Sequence, residues 1–285
     1  MLKGLTFSIS KSEIVGILGP NGSGKTTLFK ILSTLVFPTS GSVEISDLDL
    51  ILNHHKIRHL IGVIFQHPSL DKKLSVQENL IHQGHLYGLH GNNLEEKISI
   101  ELKRYGLQDR CNDKVESLSG GFQRRVEILK GMLHSPSLLI MDEPSTGLDP
   151  RARKEMWEHL KQLKKEGMTI LLTTHLIEEA ERCDRLILLN EGSIVASGTP
   201  QTIKEEIGGE VIVIETQDPE ALASKLKVFP FSLTILANTV RMETKKGHDY
   251  IPQILDKFGE DILTITVGKP TLEDLFIHKT GHRFE

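Results

Sequence analysis

The chain has 285 residues, of which 38% are hydrophobic and 25% charged, a globular composition that excludes disorder and collagen-like repeats. Its 34 Lys and Arg against 38 Asp and Glu give a net charge of -4, which argues against nucleic acid as a partner. No apolar run approaches the roughly 18 residues needed to cross a bilayer, so direct membrane insertion is not expected.

The first residues lack the sustained apolar core and small-residue cleavage site of a signal peptide, and Phe7 reads as a core-strand residue. Residues 13–18 form an apolar strand candidate, followed by glycine-rich punctuation and a helical run over 26–34. Segments 42–45 and 60–65 read as strands, and 79–89 and 94–105 as helices. Three more strand candidates follow at 138–141, 169–173 and 185–189. A helix over 151–166 lies between the first two of these, with Ala152, Met156, Leu160 and Leu163 on one stripe and Gly167 as the stop. Strands alternating with helices predict a mostly parallel sheet with crossover helices.

A boundary falls near Gly198-Thr199-Pro200. Beyond it the pattern is strand 210–215, helix 219–227, strands 233–236 and 240–243, helix 250–258, strand 261–267 and a last amphipathic segment, 271–278. Residues 200–285 hold ten Lys and Arg against fourteen Asp and Glu, so the net charge resides in this appendage, read as a small α+β domain spanning 199–285. The last segment reads as the domain's last packed helix, with a regulatory contact as the alternative. Cys111 and Cys183 stand apart and form no metal or redox motif, which fits a reducing, cytoplasmic setting.

Gly19-Pro20-Asn21-Gly22-Ser23-Gly24-Lys25-Thr26 fits the phosphate-loop pattern between a strand and a helix. Its glycines let backbone N–H groups converge on phosphate oxygens, and the helix N-terminus adds positive potential. Lys25 would neutralise the β- and γ-phosphates, and the Thr26 hydroxyl would ligate Mg²⁺. The strand over 138–141 ends in Asp142-Glu143. Asp142 can hold Mg²⁺ through water, and Glu143 can polarise the attacking water as general base. Leu118-Ser119-Gly120-Gly121 opens another helix. Local physics leaves two readings of it, a second anion site or a plain N-cap by Ser119.

Together these residues resemble the nucleotide-binding subunit of ATP-binding-cassette (ABC) transporters. The resemblance rests on the phosphate loop, Gln66 after a strand, the signature Leu118-Ser119-Gly120-Gly121-Phe122-Gln123, the acidic strand with Asp142-Glu143-Pro144, Ser145-Thr146-Gly147-Leu148-Asp149, and His175 after a strand. It covers residues 1–198 and implies a P-loop NTPase fold, a mixed, mostly parallel sheet core with a helical subdomain at about 80–135. It further implies that two cassettes pack head to tail and sandwich ATP between one copy's residues 19–27, Thr27 included, and the other's Ser119-Gly120-Gly121. In that arrangement Gln66 touches Mg²⁺ and the water, His175 contacts the γ-phosphate and orients Glu143, and Asp149 reaches across the dimer.

Phe65-Gln66-His67-Pro68-Ser69-Leu70-Asp71, residues 74–80, the run Gln123-Arg124-Arg125 and the ending 270–276 are similar to the daunorubicin-resistance-like branch. Members of that branch energise drug, antibiotic or polysaccharide exporters. The resemblance implies a transmembrane permease as partner, meeting 66–80 and 80–115, a second copy of the chain, and a place at the cytoplasmic face of the membrane. Importer subunits and soluble ABC ATPases are the alternatives.

The family stacks adenine on an aromatic residue roughly 20–25 positions before the phosphate loop, a contact type worth about 1–3 kcal/mol. Only 18 residues precede Gly19, and none matches that position. Either the start is assigned too late or ATP binds roughly tenfold to a hundredfold more weakly. The clusters His54/His55/His59 and His82/His85/His90 read as solvated surface, since a zinc site needs three or four convergent ligands with second-shell support and no Cys lies nearby.

Overall fold

The computed structural model describes residues 1–282 and 284. β1 (Ile14–Leu18) is apolar and buried along its whole length. Its side chains alternate between two cores, Ile14 and Leu18 in one and Val15 and Ile17 in the other. A strand covered on both faces has no polar side, which is why it reads as a continuous apolar run. The glycine-rich loop follows, and α1 (Lys25–Leu32) covers the second core with Leu28, Phe29 and Leu32. The hairpin β2 (Glu44–Ile45) and β3 (Leu48–Asp49) leads to α2 (His54–Leu60) and β4 (Ile61–Ile64).

Three helices then cross the other face: α3 (Val76–Leu86), α4 (Gly91–Arg104) and α5 (Gly120–Met132). α3 starts in a capping box in which Ser75 and Glu78 each bond the other's backbone N–H. β5 (Leu138–Asp142), α6 (Pro150–Lys165), β6 (Thr169–Thr174), α7 (Ile177–Ala180), β7 (Arg185–Asn190) and β8 (Ser193–Gly198) complete this part. The strand order is β4-β5-β6-β1-β7-β8, parallel except that β8 runs antiparallel to β7. The carboxyl ends of β4, β5, β6 and β1 therefore lie side by side on one edge, where open α/β sheets bind ligands.

Several elements depart from the sequence reading. α2 and β8 are additional, and the strand expected at 42–45 is reduced to Glu44–Ile45. Residues 1–10 form no strand, because nothing among the described residues pairs with them along a ladder. Leu2, Leu5, Phe7 and Ile9 still pack against the second core, so Phe7 is a core residue without being a strand residue.

The rest of the chain begins with α8 (Pro200–Glu205) and continues through β9 (Glu210–Glu215), α9 (Pro219–Leu226), β10 (Ser232–Leu236), β11 (Thr239–Thr244), α10 (Ile251–Phe258), β12 (Thr264–Gly268) and α11 (Leu272–Thr280). Its antiparallel sheet has the order β10-β11-β9-β12. Ile212, Ile214, Val240 and Met242 project from one face onto Leu222, Leu226 and Ile254 of α9 and α10.

α11 belongs elsewhere. Its Leu272 and Leu275 enter the large core beside Ile203 of α8. Its polar side returns to the antiparallel sheet, with Asp274 paired to Arg241 and His278 Nδ1 2.8 Å from Glu243 Oε2. Lys279 Nζ lies 2.7 Å from Glu206 Oε2, just past α8. The last helix thus ties the two sheets together.

Candidate active site

The loop after β1 is closed by its own lysine. Lys25 Nζ donates to Gly19 O at 2.7 Å and Pro20 O at 3.0 Å, and Ser23 N–H donates to Pro20 O at 3.2 Å. Gly22 and Gly24 sit at φ 81° and 108°, a left-handed conformation that L side chains rarely adopt. A Cβ on Gly19 would meet Leu189 O at 2.3 Å, so only glycine lets the loop pass there. The Ser23 hydroxyl is buried without a protein partner. Asn21, Thr26 and Thr27 are exposed along the loop and the first turn of α1. The result is a cradle of backbone N–H groups at a helix N-terminus, with a buried cation beneath it.

The adjacent strand ends supply the other groups. Asp142 is the last residue of β5 and lies across the ladder from Thr173. The Thr173 hydroxyl donates to Asp142 Oδ1 at 2.5 Å. Burial pushes the Asp142 carboxyl above its ordinary range, which this hydrogen bond partly opposes. Glu143 follows at φ 42°. Its Oε2 accepts from Gln66 Nε2 at 3.1 Å and Thr146 Oγ1 at 3.2 Å, and stands 3.1 Å from His175 Nδ1. Its Oε1 lies 3.8 Å from Lys25 Nζ. Burial lowers the Lys25 ammonium from its ordinary range, while Glu143 and Asp142 pull it back up. Lys25, Gln66, Asp142, Glu143 and His175, far apart in sequence, thus converge on one edge.

Ser119, Gly120 and Gly121 stand apart from this cluster. No hydrogen bond or ion pair joins them to residues 19–27 among the described residues. Ser119 is exposed at the N-cap of α5, yet its side chain makes no capping hydrogen bond. The first N–H groups of α5 are therefore left uncapped by it. Asp149 caps α6, with Oδ1 accepting from Ala152 N–H at 2.8 Å, and is exposed.

Contacts also give roles to residues for which the sequence reading assigned none. Arg124 is buried in α5 and donates to Phe65 O at 2.8 Å and Gln66 O at 3.0 Å, while pairing with Glu127 at 3.0 Å. It ties the helix that begins at Ser119 to the backbone that carries Gln66. Thr146 and Thr173 hold Glu143 and Asp142, as above. The signal available for Arg124 was a charged pair, Arg124 and Glu127, one turn apart among the apolar residues of α5, whereas Thr173 in its strand gives none.

Fold and loop together are those of a P-loop NTPase. The pattern of the family described as "ABC transporter" matches residues 2–146, and that of "ATP-binding protein DrrA1-3-like, C-terminal domain" matches 198–280. The chain belongs to the ABC transporter family, as an ATP-binding and ATP-hydrolysing subunit. It is 34% identical over 290 residues to the daunorubicin resistance ATP-binding protein DrrA3 of Streptomyces coeruleorubidus, covering 98% of this chain and 91% of that protein. It is 36% identical over 287 residues to the Nod factor export ATP-binding protein I of Rhizobium sp. (strain N33), covering 100% and 93%. A solved dimeric ATP-binding cassette in a post-hydrolysis state with ADP and phosphate superposes with a TM-score of 0.63 at 30% identity, over 70% of this chain and 90% of that one. Among the described residues no helix is long and apolar enough to cross a membrane.

Proposed function

We propose that this subunit energises export of a drug, antibiotic, other small molecule or polysaccharide through a separate transmembrane permease. In this reading two copies form an ATP sandwich at the cytoplasmic face of the cell membrane. The end-to-end similarity to a drug-resistance subunit and a Nod factor export subunit supports the export reading. The dimeric relative with ADP and phosphate supports the sandwich.

The observation that carries the catalytic reading is the grip on Glu143, between Gln66, Thr146, His175 and Lys25. Residues 19–27 cradle the phosphates, Lys25 neutralising them and Thr26 and Thr27 lying at the open end of the loop. Glu143 accepts a proton from the attacking water, and His175 orients that carboxylate and meets the γ-phosphate. Ser119, Gly120 and Gly121 of the partner copy present their N–H groups to the same phosphates, and Asp149 lies at the seam. This is catalysis by positioning and charge neutralisation.

Thr26, Gln66 and Asp142 offer only oxygen donors, of which the Asp142 carboxylate is buried, a set that suits Mg²⁺. Bound there, Mg²⁺ supplies positive charge to the phosphate oxygens. The raised pKa of Asp142 fits the same role, since a cation would relieve the cost of burying its charge.

A cleft of about 420 Å³ lined by Arg58, Ser69, Gln83, Tyr87, Lys130 and His134 supports a permease contact near the segment after Gln66. Its walls come from α2 and β4 on one side and from α3 and α5 on the other. The decisive measurement is ATP binding and ATP turnover by Glu143→Gln. We expect unchanged nucleotide affinity and turnover lowered by roughly 10²–10⁴-fold, the usual scale for a general base. Retained turnover removes Glu143 from that role. Stimulation of turnover by an exported compound, measured on the subunit copurified with its permease in vesicles, tests the export reading.

A further inference from the structure

We propose that Thr173 is the positioning residue that fixes Asp142 and Glu143 relative to each other, its hydroxyl joining the two into one unit. The inference rests on the reading of Glu143 as the base. Thr173 is 2% exposed at the carboxyl end of β6, so its hydroxyl has protein partners alone to bond. It has a single proton, which it donates to Asp142 Oδ1 at 2.5 Å. Its lone pairs are thereby turned toward the Glu143 N–H, which donates to Oγ1 at 3.0 Å. The same N–H lies 3.2 Å from Thr173 O, so residue 173 holds it twice.

That N–H needs holding. Glu143 is at φ 42°, a left-handed backbone that a glutamate seldom adopts, and nothing in the β5 ladder enforces it past Asp142. The turn decides where the Glu143 carboxylate points. With the backbone at that angle, Oε2 reaches Gln66, Thr146 and His175 together. The adjacent Thr174 does a different job. Its hydroxyl donates to the buried Glu179 at 2.7 Å, and that carboxylate also accepts from Trp157 Nε1 at 3.2 Å. Of the two hydroxyls, only that of Thr173 faces the acidic pair.

Thr173→Val keeps the shape and the backbone carbonyl but removes the hydroxyl. Thr173→Ser keeps the hydroxyl and removes the methyl. Steady-state ATP turnover of the purified full chain tests the proposal. We expect Thr173→Val to lower kcat by about tenfold, the scale of one buried hydrogen bond lost in the transition state, with KM for ATP held within about twofold. Thr173→Ser should restore kcat. If valine does not fit, Thr173→Ala gives the same comparison with Thr173→Ser.

Three results would overturn the proposal: a hydroxyl-free variant with unchanged kcat, a serine variant as slow as the hydroxyl-free one, or a loss confined to KM. Glu143→Gln is assayed alongside. If it retains turnover, the base reading fails whatever Thr173 does. If it is inactive while Thr173→Val is fully active, the positioning role alone fails.

Discussion

Lys25 and Glu143 face each other at 3.8 Å, one opening α1 and the other just beyond β5, with side chains only 5% and 12% exposed. A cation and a carboxylate so shielded define the floor of the crevice. Lys25→Ala should weaken ATP binding by about tenfold to a hundredfold, the worth of a charge-assisted contact in a shielded site. Calorimetric titration with nucleotide at fixed salt measures this directly. An unaltered affinity would mean that the loop backbone alone holds the phosphates.

Ser119 is exposed at the head of α5 and leaves that helix uncapped by its side chain. Ser119→Arg should leave ATP binding by a single copy intact and weaken the ATP-dependent dimer by at least about tenfold, since a bulky charge would sit where the partner's phosphates belong. Size-exclusion chromatography with ATP, in the Glu143→Gln background, resolves the two states. A dimer of undiminished strength would place the seam elsewhere on the surface.

His159 on α6 lies with its ring 4.1 Å from that of Tyr105, and its Nε2 is buried without a hydrogen-bond partner. Burial first, then Arg104 and Arg125, pull its pKa from 6.5 to about 4. The folded state therefore binds this proton less well than the unfolded chain does. The stability linked to it is complete above about 6.5 and is lost as pH falls toward 4, to a limit of about 3 kcal/mol. His159→Phe keeps a ring against Tyr105 and cannot charge, so it should lose less stability over that interval. Urea melts at the two ends of the range give the comparison. Equal losses would shift attention to His134, whose pKa burial also lowers.

Leu275 is fully buried in the large core although it lies in the last helix of the chain. Leu275→Ala should cost about 2–5 kcal/mol. Its effect should appear in the thermal transition that ATP raises, because the residue packs with the nucleotide-binding part. A change seen only in an ATP-insensitive transition would assign the helix to the antiparallel sheet.

The parts of this molecule most legible in the sequence are those buried on two sides. β1 and β5 are uninterrupted apolar runs that stop at chemistry, so both the strand and the residue it delivers can be read. β9 is legible for a related reason, since Val211, Ile212 and Ile214 are all buried. α2 is hidden because only Ile57 of its seven residues is buried, which leaves no periodic stripe. β8 is an edge strand whose apolar run is only 194–196 between small residues, so its pairing with β7 is what reveals it. The start of α3 was written in the sequence as Ser75-Val76-Gln77-Glu78, a capping box lying ahead of the position where the apolar pattern begins. Arg124 and Thr146 stand inside sequence motifs and Thr173 at a strand end, yet the role of each comes only from which strand end or loop lies beside it.

The dual attachment of α11 limits how relatives' segments can be recombined. A hybrid spliced between α8 and β9, near residue 207, would import a helix whose apolar side must suit the recipient's Ile203 while its Asp274 keeps the arginine of the donor's sheet. Only a graft that carries α8 together with everything through α11 conserves both sets of neighbours. Evolution at this junction is thereby steered toward exchanging residues on the two faces of one helix in concert.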